Sequence, residues 1–234
     1  MYTKKLITLG LNLILFILGI IGCTMGLRKA GLAEIRFYTF DSNFIGMIAS
    51  GILFLFLLTA FIHESESIPK WVVMLKYMAT CALSVTFLVV IFVLAPMYSD
   101  YYSSLGKSYA ALLFGGSNLF MHFLCPVIAI FTVLFFDPSL DSEEKLFNKK
   151  PTPVIAAFIA VILTVIYAII TLTLNITGDL TGPYPFLMVH SQPVWASCLW
   201  VIVIFALAYL IAWILARFGT LLKSTESSDK STDS

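Results

Sequence analysis

Six long apolar runs, at 6–27, 38–62, 71–97, 109–136, 153–175 and 194–217, limit what this chain can fold into more than any motif does. Each reaches the roughly 20 residues that an α-helix needs to cross the hydrocarbon core of a bilayer. Hydrocarbon offers no water to backbone N–H and C=O groups, so a segment of this kind satisfies them within a helix. Hydrophobic residues make up 60% of the 234 positions and charged residues 12%, which leaves no stretch for a soluble domain. The expected fold class is an all-α integral membrane protein: a six-transmembrane helix bundle, residues 1–218, forming a single domain. The first run is too long for a signal-peptide core and lacks a small-residue cleavage site, so it is read as a span. Residues 219–234, rich in Ser, Thr, Asp, Glu and Lys, are expected to form a disordered polar cytoplasmic tail.

Orientation follows from the basic residues that flank the spans. With the N-terminus inside, ten basic residues fall on the inner side: Lys4, Lys5, Lys70, Lys76, Lys145, Lys149, Lys150, Arg217, Lys223 and Lys230. Four fall outside: Arg28, Lys29, Arg36 and Lys107. Both termini are therefore expected in the cytoplasm. Lys76, formally inside the third run, is expected to snorkel its amine to the headgroups.

A net charge of +1 without a basic cluster argues against nucleic acid as a partner. Cys23, Cys81, Cys125 and Cys198 sit singly in different runs and read as small core residues. Three scattered histidines make no metal site, and neither a metal nor a cofactor is expected. A Gly-x-Ser-x-Gly elbow, a His-Glu-x-x-His helix and a phosphate-binding loop are all missing.

What remains is polarity inside the apolar runs, which is costly there and commonly marks function. Thr39, Ser42 or Asn43, Gly46 and Ser50 recur at helical spacing and form one small, polar stripe on the second run. Asn118 and His122 are four residues apart on the fourth, just after an interruption at Gly115-Gly116-Ser117. The topology puts Thr39 and His122 at similar depth in the outer leaflet. Asp41 falls about 200° around the helix from Thr39 and is expected either to face elsewhere or to cap the helix start. Each residue also has a plainer reading: Thr39 as a packing residue, the asparagines as interhelical hydrogen-bond donors, and Tyr184 in Gly182-Pro183-Tyr184-Pro185 as an interfacial anchor on a rigid turn. His63 and His190 read as solvated loop residues.

Three stretches in this order resemble a known family: Tyr38-Thr39-Phe40, Asn118-x-x-x-His122 with Pro126, and Tyr184-Pro185-Phe186-Leu187 after Thr177-Gly178. Together, over about residues 36–215, they look like the androgen-induced protein family of multipass threonine hydrolases. That family includes the androgen-dependent regulator of tissue factor pathway inhibitor and short bacterial relatives, which the compact loops here resemble most. The resemblance implies hydrolysis of lipid esters, such as fatty acid esters of hydroxy fatty acids, with Thr39 as nucleophile and His122 as its partner. It also implies a bacterial plasma membrane, in which the sequon Asn175-Ile176-Thr177 would carry no glycan.

The chemistry is coherent on its own terms. A threonine hydroxyl needs a base within hydrogen-bond reach, and imidazole suits the task. Asn43, Asn118 or backbone N–H groups near Gly115-Gly116 are candidates for stabilising the oxyanion, with Ser42, Asp41 and Tyr184 as further site-lining residues. The expected partner is a lipid substrate taken from the bilayer, and the oligomeric state stays open. Two alternatives share these residues: an acyltransferase using the same Thr39, and a non-enzymatic small transporter or lipid-binding scaffold.

Overall fold

The computed structural model describes residues 2–63, 68–106, 108, 110–138 and 152–232. Every regular element among them is helical. The principal helices are α1 (Tyr2–Ala30), α2 (Tyr38–Ile62), α3 (Lys70–Val89), α4 (Cys125–Phe135), α5 (Pro153–Thr177) and α6 (Val194–Thr232). Five stretches are long and apolar enough to cross a membrane: Thr3–Arg36, Tyr38–Ile62, Lys70–Met97, Pro153–Thr177 and Val194–Phe218. Lys107, Lys145, Lys149 and Lys150, which enter the expected charge asymmetry, lie outside the described residues.

The fourth expected span is broken at the expected interruption, Gly115-Gly116-Ser117. Only Leu119–Phe135 forms an apolar helix there, shorter than the other five. Ahead of it come a single turn, Ala111–Phe114, and then Gly116 at φ +59°, a left-handed conformation that glycine adopts without penalty. The helix then opens with a π turn, Leu119–Leu124, before α4 begins with Pro126 in its first turn. Such wide turns recur where a helix is bent for a functional purpose. A second π turn, Val90–Leu94, extends α3.

α3 is the most enclosed of the helices, with α2, α4, α5 and α6 packed around it, and α1 lies against α2. The main apolar core gathers Tyr77, Cys81 and Val85 of α3, Ala156, Ala157 and Ala160 of α5, and Ala208 and Ala212 of α6. Small residues at these crossings let backbones approach closely, which in lipid replaces the hydrophobic drive that water would supply. The small and polar stripe of α2 is buried as expected: Thr39, Ser42, Asn43, Gly46 and Ser50 all face inward. At Gly46 the approach is tight, since a Cβ there would come within 2.8 Å of Leu83 Cδ1 on α3. Cys23, Cys81 and Cys125 are buried, but Cys198 is exposed on α6 and is not the core residue expected. The backbone of α6 continues as helix to Thr232 through the tail expected to be disordered; extending an existing helix avoids the cost of a new nucleus.

Candidate functional site

Thr39 sits in the first turn of α2, where backbone N–H groups have no partner within the helix. The residue preceding the helix, Phe37, supplies no side-chain cap. Tyr184 supplies one from far along the chain: the Thr39 N–H donates to its hydroxyl at 3.3 Å, and that hydroxyl lies 3.4 Å from Thr39 Oγ1. Tyr184 is therefore no interfacial anchor. It is buried, stacked on Phe186 at 5.3 Å and set edge-on to Phe37 at 5.9 Å. Burial pushes its phenol up to about 12, so it stays protonated and keeps a proton to donate. The turn that delivers it closes hard on itself at Gly182, where a Cβ would lie 2.5 Å from the Leu187 carbonyl oxygen.

Thr39 and Tyr184 line a small cavity of about 60 Å³ with Tyr38, Thr86, Thr164 and Tyr167 among its walls. The hydroxyls there are largely paired. Tyr38 Oη meets Thr164 Oγ1 at 2.7 Å, and Tyr167 Oη donates to the Arg36 carbonyl at 2.7 Å. Ser42 Oγ donates to the Thr39 carbonyl at 3.1 Å and accepts from Thr86 Oγ1 at 2.8 Å. A space of this size suits a few water molecules, well short of the several hundred Å³ of an ordinary ligand pocket.

His122 lies on the π turn, buried, and its Nδ1–H donates to the Leu112 carbonyl. That bond leaves the lone pair on Nε2, the form a general base requires. Among the described residues no hydrogen bond joins His122 to Thr39. Their segments are joined instead by Asn43, whose Nδ2 donates to the Thr39 carbonyl at 2.8 Å and to the Met121 carbonyl at 2.9 Å. Both amide hydrogens are thereby committed, so Asn43 has no donor left for an oxyanion. Its Oδ1 is buried without a partner. Asn118 is half-buried at the head of the π turn, where its backbone N–H donates to the Gly115 carbonyl.

Asp41 does not cap α2. It points away from Thr39, as its angular offset predicts, into a groove of about 530 Å³ between α2 and α5. Tyr38 and Tyr167, packed edge-on at 5.0 Å, line both the groove and the Thr39 cavity and so form the wall between them. Asn175 of the sequon is buried and ties down the loop after α5: it donates to the Leu180 carbonyl at 2.8 Å and accepts from the Val189 N–H at 2.9 Å. His190, exposed, contacts the Asn175 carbonyl at 3.0 Å.

The opposite end of the bundle holds polar residues that the sequence reading did not join into a site. Lys76 is 2% exposed and does not snorkel; its Nζ donates to Ser50 Oγ at 2.8 Å. Asn12 Nδ2 donates to the Thr8 carbonyl at 3.0 Å and to Asp137 Oδ1 at 2.9 Å. Asp137, at the end of α4, acts electrostatically on Lys76 without touching it as an ion pair. Asn12 Oδ1, Thr80 Oγ1 and Asp137 Oδ2 are buried without partners. Snorkelling fails because α2 and α4 pack on α3 and α1 packs on both of them, and Ser50 holds the amine inside. The signal was present as Lys76 and Thr80 at helical spacing on one run, facing a serine on another.

No protein-family model, curated protein or solved structure matches the chain. The fold and sites together define an all-α protein of membrane type, with one uncharged hydroxyl-lined chamber and one charged polar cluster.

Proposed function

We propose that this protein is an intramembrane lipid-ester hydrolase whose nucleophile is Thr39 and whose base is His122. The observation that carries this reading is the convergence of three distant stretches: Tyr184 bonds Thr39, and Asn43 ties the Thr39 turn to the residue before His122. In the proposed step the Thr39 hydroxyl attacks the ester carbonyl while His122 Nε2 takes its proton, then returns one to the departing alcohol. Water later releases the acid from the acyl-threonine. Tyr184, neutral and adjacent, takes the place of Asn43 as a donor to the oxyanion. Unoccupied enzymes commonly hold such groups beyond hydrogen-bond reach until substrate arrives. The sixth span in this reading is the broken segment ending at Phe135, with both termini cytoplasmic and the Thr39 end in the outer leaflet of a bacterial plasma membrane.

The test is covalent labelling of the purified protein by a fluorophosphonate probe. Thr39→Ala and His122→Ala each abolish labelling while the protein keeps its helicity and monodisperse elution. Undiminished labelling of Thr39→Ala overturns the assignment. Transfer of the acyl group to another lipid uses the same intermediate and is separated by product analysis with an acceptor lipid present.

A second reading, a small transporter, is favoured by the Lys76 and Asp137 cluster, because buried charges in a bundle commonly line ion or proton paths. Substrate flux into vesicles that is lost in Lys76→Met yet retained in Thr39→Ala would select it.

A further inference from the structure

The groove between α2 and α5 has the dimensions of a lipid site. α2 and α5 both pack on α3 but scarcely touch one another, and Ala82 of α3 lines the space they leave. Its α5 wall runs from Leu163 to Leu174, a rise of about 16 Å at ~1.5 Å per residue. That is close to half of the roughly 30 Å hydrocarbon core, the depth of a single leaflet. Most of the lining is apolar, with Phe44, Ile45, Leu163 and Ile166 among it, as an acyl chain requires.

The α2 side of the groove carries opposite charges. Arg36, exposed on the turn before α2, uses its Nε on the Ala33 carbonyl at 3.1 Å, and no acidic partner holds its terminal N–H groups among the described residues. Asp41, half-buried about a turn deeper, has no hydrogen-bond partner there either. A carboxylate facing lipid is costly when nothing pairs with it. The two side chains do not neutralise each other, so together they present a cationic and an anionic contact to one occupant.

We propose that this groove binds a phospholipid with a primary-amine head group, its phosphate on Arg36, its ammonium on Asp41 and one acyl chain along α5. A charge-assisted N–H bond to Asp41 is open to a primary ammonium and closed to a quaternary one, which has no N–H. A phosphoglycerol head group would satisfy Arg36 and leave Asp41 unpaired. The site does not depend on chemistry at Thr39, from which the rings of Tyr38 and Tyr167 separate it.

Native mass spectrometry of the full chain, titrated with phosphatidylethanolamine, phosphatidylcholine and phosphatidylglycerol of identical acyl chains, tests the assignment. The wild type retains the ethanolamine lipid about tenfold more tightly than the other two, the gap that one charge-assisted bond supports. Asp41→Asn, nearly the same shape, removes the preference, and Arg36→Gln weakens all three lipids. Ile166→Trp fills the groove from its exposed rim and lowers retention of all three without touching the core. Equal retention of the lipids by the wild type overturns the proposal, and so does a preference that survives Asp41→Asn. The same titration of Thr39→Ala gives the wild-type pattern, so failure of the hydrolase reading leaves this result unaffected.

Discussion

The two ends of the bundle handle buried polarity in opposite ways. Around Thr39 the groups are hydroxyls and amides, and nearly every one has a partner: Tyr184 on the Thr39 turn, Tyr38 on Thr164, Ser42 on Thr86. Around Lys76 charged side chains mix with neutral ones, and Asn12 Oδ1, Thr80 Oγ1 and Asp137 Oδ2 have no partner, against Asn43 Oδ1 at the Thr39 end among the described residues. A satisfied neutral network holds its members in one geometry at modest cost. A charged and under-satisfied one puts stability at risk and pays only through an occupant such as water or through a transported charge. The Thr39 end is therefore built for positioning, and the Lys76 end stores electrostatic free energy.

The largest expected effect lies at the charged end. Asp137→Ala removes the acceptor of the Asn12 amide and the acidic group that acts on Lys76, whose Nζ then keeps only Ser50. The orphaned buried donor costs about 1–3 kcal/mol and the lost attraction on Lys76 adds to it, whereas replacing both residues with apolar ones of similar volume is close to neutral. Denaturant titration in micelles should thus show a large loss for Asp137→Ala and recovery of most of it in Lys76→Met/Asp137→Leu. If the single variant unfolds with the wild-type midpoint, the contrast between the two ends collapses.

The next effect tests the joint between the two sequence-distant parts of the Thr39 end. Asn43→Leu leaves the Thr39 and Met121 carbonyls without the donor they share. Each orphaned buried carbonyl costs about 1–3 kcal/mol, though the Thr39 carbonyl keeps Ser42 as a donor, so the loss should sit near the cost of one. Labelling at Thr39 should fall with it, because the His122 segment loses its tie to α2. A stable Asn43→Leu protein that labels normally would show that Asn43 is packing alone.

How much of this was legible in the sequence divides along the same line. Helices, the polar stripe of α2 and the outward turn of Asp41 follow from periodicity, a local property, and the structure agrees with each. The break at Gly115-Gly116 was visible, but the π turn after it was not, because nothing in Leu119–Leu124 distinguishes it by composition from an α-helix. Tyr184 reads from sequence either as an interfacial anchor or as a site-lining residue, and the choice between them is not local, since its partner lies 145 residues away and depends on how a proline-bounded turn folds back. Lys76 differs from its expected snorkelling for a related reason: snorkelling is the rule for an isolated helix, and the packing of α2 and α4 on α3 is a tertiary fact. Asn43 and Asn118 looked equivalent as oxyanion donors until the hydrogen bonds of Asn43 were accounted for.

The smallest expected effect on stability is also the most discriminating test of the neutral end. Tyr184→Phe keeps the ring, its stack on Phe186 and its edge contact with Phe37, and deletes only the hydroxyl. The Thr39 N–H then loses its acceptor, a change of roughly 1 kcal/mol in stability. If that hydroxyl donates to the oxyanion, turnover and labelling should fall far more, by about a hundredfold or greater, as for loss of one oxyanion donor elsewhere. If Tyr184 only caps α2, labelling should track the small stability change. The ratio of the two losses, measured on one variant, separates a helix cap from a catalytic donor, two roles that the geometry of one hydroxyl allows.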